Sequence, residues 1–438
     1  MSGSVMLGGF AKNWRISRVG YAYAIQLGKM LQPERQFEND GEVPYLKSQH
    51  VQAGVIFSED LPLMWANLAE TSKYGVRDGD LLVCEGGDVG RAAMAVQVPE
   101  DTIIQNALHR VRSSGGNSLS YLLYVLLHVK NHGWFDIICN KSTIAHLTRE
   151  KLSALAIPLP PPLVQQSIAA HLDRETAKID TLIAKKRELI AKLKEQRSAL
   201  ISRTVTRGLP PEAAQATGLD PNPPMKNSGV AWLGEVPAHW TVKPVKFLTQ
   251  IVRGQFTHRP RNDPSLYDGA YPFVQTGDIA RAKRYVTEYS QTLNDLGLAV
   301  SKQFPEGTLV MTIAANIGDM AVINFPACFP DSIVGFIPTA RVDIDFLYYL
   351  FLAMKRELLA TATLNTQLNL NVERIAAIDA VQPPVNEQRK IADYLDKACG
   401  EIDSLLLKVE TAITRLTEYR AALITAAVTG QLDIAPAK

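Results

Sequence analysis

One stretch of this chain occurs twice. The segment PPLVQQSIAAHLDRETAKIDTLI, from Pro161, returns as PVNEQRKIADYLDKACGEIDSLL, from Pro384. At a fixed offset of 223 residues, Gln165 matches Gln388, Ile168 matches Ile391, Leu172-Asp173 matches Leu395-Asp396, and Ile179-Asp180 matches Ile402-Asp403. The match runs on through RSALISRTVT, from Arg197, and RAALITAAVT, from Arg420. Repetition over more than forty residues restricts the fold to architectures built from two like units. The segments upstream correspond more loosely. Trp14-Arg15 matches Trp240-Thr241, Pro44-Tyr45 matches Pro272-Phe273, GDLLV at Gly79 matches GTLVM at Gly307, and GGDVG at Gly86 matches AANIG at Ala314. Small changes of offset imply insertions in surface loops. The chain reads as two halves, each a mixed domain followed by a long helix.

Both repeated segments open with prolines and then run for most of forty residues without proline or glycine. Their apolar residues recur at heptad spacing. In the first copy one stripe is Leu172, Ile179, Lys186, Leu193, Leu200, and the other is Thr176, Ile183, Ile190, Arg197, Thr204. In the second copy the stripes are Leu395, Ile402, Val409, Leu416, Leu423 and Cys399, Leu406, Ile413, Arg420, Ala427. About five heptads of this pattern predict a coiled coil, in rods of roughly 60 Å. Residues 163–208 carry 10 basic and 5 acidic side chains, and residues 385–433 carry 6 and 8. Opposite charge makes each helix the simplest partner of the other. The alternatives are core helices of separate domains, or seams for other chains. Lys186, Arg197 and Arg420 interrupt the apolar stripes.

The remaining sequence reads as α/β with short strands. VPYLKSQHV, GDLLVCEG and AAMAVQV alternate β-branched and small residues between Gly, Pro and Asp. Helices are expected over Leu119–Asn131 and Asp343–Leu359. The expected boundaries are a domain over 1–160, a helix over 161–207, a Pro/Gly/Asn-rich linker over 208–230, a domain over 231–382 and a helix over 383–432. The overall charge of +2 is uninformative until divided: residues 1–158 hold 15 basic and 15 acidic side chains, and residues 226–382 hold 14 and 14. Four cysteines more than fifty residues apart, without CxxC spacing, predict reduced thiols in a cytoplasmic protein. No basic stretch followed by an apolar run opens the chain, so no secretory signal is expected, and the apolar run Tyr121–Val129 is too short for a bilayer.

Catalytic motifs are scarce. Asn222-Pro223-Pro224 begins like the loop with which amino-methyltransferases hold a target base, but Met225 stands where an aromatic should stack, and the segment lies in the linker. Gly86-Gly87-Asp88-Val89-Gly90 lacks the Lys-Ser/Thr of a phosphate-binding loop and reads as a turn; Arg91 next to it is a candidate DNA contact in reach of a phosphate, whereas Asp319 holds the matching place. His128 and His132 share a helix face without a third ligand, so no metal site is expected. Basic and amide side chains cluster instead. Lys12, Arg15 and Arg18 open the first half, followed by Lys47, Gln49 and His50. Arg253, His258, Arg259 and Arg261 open the second, followed by Arg281, Lys283 and Arg284. Such side chains pair with base edges and phosphates.

PLPPPLVQQSIAAHLD, its copy QPPVNEQRKIADYLD, and WLGEVPAHW from Trp232 together resemble the specificity subunits of type I restriction-modification enzymes. One departure is Val164, where the second copy has the more usual acidic Glu387. The resemblance implies two target-recognition domains joined by an antiparallel pair of helices, an internal repeat with pseudo-twofold symmetry. Each domain would read half of a bipartite, asymmetric DNA target, and the helices would set the spacer. It also implies two modification subunits and two ATP-driven restriction subunits as partners. S-adenosylmethionine, ATP and magnesium would belong to those subunits and no cofactor to this chain, which would do no catalysis. Lys186, Arg197 and Arg420 would contact them. The competing readings are a stand-alone methyltransferase or nuclease, and a coiled-coil adaptor with no DNA role.

Overall fold

The computed structural model describes residues 14–52, 54–56, 58–139, 146–314, 317–360, 362–364 and 368–434. The chain divides into two compact units, one formed by residues up to 187 together with those from 410 onward, the other by residues 188–409. The boundaries thus fall inside the two long helices, not at their ends.

In the first unit, strands run side by side in the order Tyr23–Leu27, Leu108–Ser113, Leu81–Cys84, Ala92–Met94, all antiparallel. The strand Leu81–Cys84 has no exposed residue, because it lies between two cores. Leu81 and Val83 point toward the helix α1 (Leu119–Asn131), whereas Leu82 and Cys84 point into a second cluster with Leu46, Val51 and Ile104. That division is the two-residue period of a strand made visible. A further sheet sets Gly41–Leu46 antiparallel to Leu63–Ala66 and parallel to Ile103–Ile104. Finally, Arg15–Arg18 pairs with Ala156–Leu159, the strand that leads into α2 (Pro162–Arg207).

The second unit repeats this order with different residues. Its sheet runs Thr249–Arg253, Ile333–Pro338, Thr308–Thr312, Met320–Ile323, with Tyr285–Val286 added in parallel at the edge. Tyr267–Phe273 lies antiparallel to Gln291–Leu293 and parallel to Ala327–Cys328. Thr241–Pro244 pairs with Asp379–Gln382 ahead of α4 (Val385–Val428). The predicted helix over 343–359 is divided: α3 spans Ile344–Ala353, and a second helix resumes at Lys355–Ala360, with Met354 between them and Leu358 both buried. The expected linker is also more ordered than its composition suggests. Pro211–Ala216 is helical with proline in its first turn, a position where the missing N–H costs nothing. Met225–Asn227 pairs with Glu235–Pro237, and Leu233, Val236 and Trp240 sink into the core.

Prolines at 160–162 and 383–384 precede or open the long helices, and each stops at a left-handed glycine, Gly208 or Gly430. Within each unit the two helices run antiparallel. In the first, Ile168, Ala169 and Leu172 share a core with Ile424, Ala427 and Val428, while Asp180 faces Arg420. In the second, Ile201 and Val205 share a core with Ile391 and Leu395, while Arg197 faces Asp403. The seam positions Leu172, Ile179, Ile183, Leu193 and Leu395 are buried, and Ile190, Leu200, Ile402, Leu406, Ile413, Leu416 and Leu423 are half-buried.

One duplicated contact admits no side chain. Gly28 and Gly254 follow equivalent strands, and a Cβ on either would lie 2.2 Å from a carbonyl oxygen, of Gln105 or Pro330. Gly28→Ala and Gly254→Ala are each expected to lower unfolding free energy by about 1–3 kcal/mol, the cost of forced overpacking. Denaturant titration checks this, and a neutral substitution at either would contradict the close approach.

Candidate nucleic-acid interface

Each unit carries a strand that ends in a short helical turn bearing polar side chains. In the first, Gly41–Leu46 ends at Lys47 and the turn Ser48–His50. In the second, Tyr267–Phe273 is followed, after Val274, by Gln275 and the helix Thr276–Arg281. The matching of Tyr45 with Phe273 makes Lys47 and Gln275 equivalent. Two clusters that the sequence offered separately therefore occupy one place in the fold.

The individual residues divide between surface and interior. Lys47 is half-buried and Gln49 is exposed. His50 is turned inward: its Nδ1 accepts the Lys47 amide at 3.2 Å, and burial, then the Lys47 charge, lower its pKa. Arg91 also points inward, donating to the Ser48 carbonyl at 2.8 Å with Asp88 beside it. It ties the turn after Leu81–Cys84 to the turn at 48–50, so it holds the surface in place instead of forming it. Arg281 is exposed and paired with Asp278, and Lys283 is exposed.

Arg284 corrects the expectation that it forms part of a DNA-facing cluster. Its guanidinium contacts the carboxylates of Asp345 and Asp396, and it lies within 5.1–5.6 Å of the ring centres of Tyr285, Tyr348 and Tyr349. Burial by itself would lower its pKa, but the hydrogen bond to Asp396 and the Asp345 charge outweigh that and raise it. The residue joins the basic loop to α3 and α4 within one unit. No periodicity could reveal this, because its partners lie far along the chain.

The other arginines of the second half converge on one loop. Arg261 donates to both Asp331 oxygens at 2.6 and 2.9 Å, Arg253 donates to the Asp331 carbonyl at 2.7 Å, and Arg259 comes within 3.9 Å of the same carboxylate. Arg259 also donates to the carbonyls of Phe256 and His258 at 2.8 Å, and His258 pairs with Asp263 at 3.1 Å. In the first half Lys12 lies outside the described residues, while Arg15 and Arg18 flank Tyr21 in the surface around strand Arg15–Arg18. Tyr21 is 77% exposed, and its counterpart Phe247 is 59% exposed with Lys246 over its ring. Sequence reasoning missed this pair, although the repeat offset aligns them.

The helix seam departs from expectation at its charged positions. Arg197 donates to Asp403 through Nε and Nη2 at 2.9 and 3.3 Å, and Arg420 donates to Asp180 at 2.9 and 3.1 Å. The two pairs are copies of each other, and they give both arginines a partner inside the chain where a partner subunit was expected. Such half-exposed pairs contribute about 0.5–1 kcal/mol each, well below the ~1.5–3 kcal/mol of one fully buried leucine, so apolar burial holds the seam and the ion pairs fix its register. Lys186 is half-buried and has no ion pair among the described residues.

Gln165 and Gln388 are fully buried at the start of α2 and α4. Gln165 accepts the Ser118 amide at 2.9 Å and donates to Asn117 Oδ1 at 3.0 Å and to the Pro160 carbonyl at 2.8 Å. Gln388 accepts the Asp343 amide at 2.8 Å and donates to the carbonyls of Arg341 and Pro383 at 3.0 and 2.7 Å. Ser118 and Asp343 cap α1 and α3, so each glutamine pins a long helix to a domain helix. Tyr124 and Tyr349 repeat the theme, donating to Asp173 and Asp396 at 2.7 and 2.6 Å.

The residues weighed for chemistry are structural here. His128 bonds Thr425 Oγ1 at 3.0 Å, and burial, then His132, lower its pKa to about 4. His132 bonds the His128 carbonyl at 2.9 Å. Residues 86–90 form the turn between two adjacent antiparallel strands, with Gly90 donating to the Cys84 carbonyl at 3.0 Å. Met225 is exposed in a short strand. Among the described residues no three His, Cys, Asp or Glu side chains are grouped to hold a metal ion, and no helix is long and apolar enough to cross a membrane.

A family model described as type I restriction modification DNA specificity domain matches residues 11–192 and again residues 237–411. The chain belongs to this family. It is similar to the type I restriction enzyme MjaIX specificity subunit of Methanocaldococcus jannaschii, 26% identical over 173 residues, which covers 37% of this chain and 38% of that one. It is similar also to the EcoKI specificity subunit of Escherichia coli, 25% identical over 209 residues, covering 45% and 44%. These matches span less than half the length of both relatives. The fold resembles a chain from a study of assembly and conformational transition of the type I R-M system, with TM-score 0.67, 17% identity and coverage of 97% and 100%. It also resembles the HsdS subunit of Thermoanaerobacter tengcongensis, with TM-score 0.53, 16% identity and coverage of 97% and 98%.

Replacing Gln388 by Met leaves the Asp343 amide and two carbonyls without their side-chain partner, at a cost of about 3 kcal/mol. Gln165→Met is expected to cost a similar amount, since it breaks the duplicate of the same joint. Thermal or denaturant unfolding of both variants checks this, and tolerance of either would show that the glutamine is not what seats the helix.

Proposed function

We propose that this chain is the DNA-reading subunit of a type I restriction-modification complex, working in the cytoplasm and carrying out no chemistry itself. Its domains, over 1–160 and 231–382, each read one part of a bipartite target. The helices over 161–207 and 383–432 set the number of base pairs between the parts. The observation that carries this reading is one scaffold presented twice with different surface side chains. The strand-end turn displays Lys47 and Gln49 in one copy, and Gln275, Arg281 and Lys283 in the other. Equal scaffolds place a reading edge alike, and unequal side chains select different bases, so the target is asymmetric.

The helices support a scaffolding role on a twofold plan. Leu182 and Leu405 are equivalent at offset 223 and remain 44% and 43% exposed. Repeated apolar positions left on a helix surface favour two copies of one partner over a single one. That partner is the modification subunit, which brings S-adenosylmethionine and the transfer chemistry. Two restriction subunits, bringing ATP and magnesium, complete the nuclease.

Co-expression of the full chain with its modification subunit, followed by methylome sequencing, tests the reading. A methylated motif of two specific parts separated by a fixed number of unspecified bases is expected, and a single uninterrupted motif would overturn it. Exchanging residues 1–158 for those of another family member should alter one part only. Insertion of one heptad into both helices adds about 10 Å of helix, some three base pairs, and should lengthen the spacer while leaving both parts intact.

A further inference from the structure

Beside the converging arginines of the second unit lies a cleft of about 320 Å³. Phe256 and Phe273, with ring centres 5.1 Å apart, and the half-buried Tyr267 form its apolar wall. Its polar lining is Arg261, Asn262, Gln275 and Gln291. We infer that this cleft is a base-reading pocket, in which Gln291 and Arg261 meet base edges while Gln275 and Asp331 are positioning residues that hold those two readers. The inference rests on the DNA-reading function proposed above and adds which side chains specify sequence.

The geometry of the two reader pairs carries the argument. Gln275 Nε2 donates to Gln291 Oε1 at 2.9 Å. That bond fixes the plane of the Gln291 amide and leaves its Nε2 donors and a second lone pair on Oε1. An amide with one donor and one acceptor side by side matches the N7 and N6 edge of adenine. Arg261 directs Nη2 at both oxygens of Asp331, leaving the two N–H donors of Nη1 free to meet a base edge. Guanine presents two acceptors, O6 and N7, to such a group. Both readers are exposed, and both holders are half-buried.

The cleft walls are tied together before any ligand arrives. The Tyr267 hydroxyl donates to the Arg261 carbonyl, Arg253 donates to the Asp331 carbonyl at 2.7 Å, and Gln255 donates its amide to the Phe329 carbonyl at 3.0 Å. Side chains fixed in this way lose little freedom on binding, which favours discrimination between bases. The first unit keeps the backbone and changes the chemistry. Lys47 stands in place of Gln275, and Asn106, two residues ahead of strand Leu108–Ser113, stands where Asp331 precedes Ile333–Pro338. Each half therefore reads different bases with the same framework.

The experiment compares the full chain, wild type and variant, in complex with its modification subunit. It measures affinity for the cognate duplex and for a panel with single base-pair changes. Gln291→Ala is expected to reduce discrimination about tenfold or more at one position of the second half-site, the range of one bidentate base contact. Gln275→Ala should relax the same position, and Arg261→Ala and Asp331→Asn should share another. A uniform loss across all sequences, or reader and holder acting at different positions, would overturn the inference. A wild-type complex that prefers no duplex would instead overturn the DNA-reading function on which it stands.

Discussion

A single buried amide seats each long helix. Gln165 and Gln388 are fully buried, and each satisfies a helix-capping residue's N–H and two further oxygens, so the bonds are costly to break. The strand that precedes each glutamine pairs back to the beginning of its domain, and the cap it accepts from begins the domain's central helix. Start, middle and end of each domain meet at that residue. The tyrosine–aspartate bonds two turns further along add a second anchor on the same helix face.

Duplication does not make the halves equal. The Arg284 cluster, with two carboxylates and three aromatic rings, belongs to the second unit only, and there it ties the segment carrying Arg281 and Lys283 to α3 and α4. In the first unit the comparable surface is tied by Arg91 to the Ser48 carbonyl, from the side of the sheet. The repeated backbone is thus stabilised by different polar chemistry in each copy, which allows the displayed side chains to diverge without loss of the frame.

The sequence announced the frame and concealed the surface. Heptads, proline starts and glycine stops are local patterns, so both long helices were legible almost to their ends, and α1 was legible to its last residue. Arg284 and Arg197 look like any exposed arginine until Asp396 and Asp403, 112 and 206 residues further along, come beside them. Gln275 and Gln291 are separated by a helix and a strand and become a pair only through the strand pairing of Tyr267–Phe273 with Gln291–Leu293. Tyr21 and Phe247 were accessible in principle, because equivalent aromatic residues at exposed positions stand out once the halves are aligned.

The core of the first unit is closed by residues made long after the rest of that unit. Ile424, Ala427 and Val428 are fully buried against α1 and the beginning of α2, and the Tyr121 hydroxyl reaches the Val428 carbonyl at 3.3 Å. More than two hundred residues are synthesised between Arg187 and this closing segment, a delay on the order of tens of seconds on the ribosome. Through that interval the first domain presents an open apolar groove with no segment of its own to fill it. Loss of the last three turns of α4 would remove Ile424, Ala427 and Val428 together and leave that groove open to solvent.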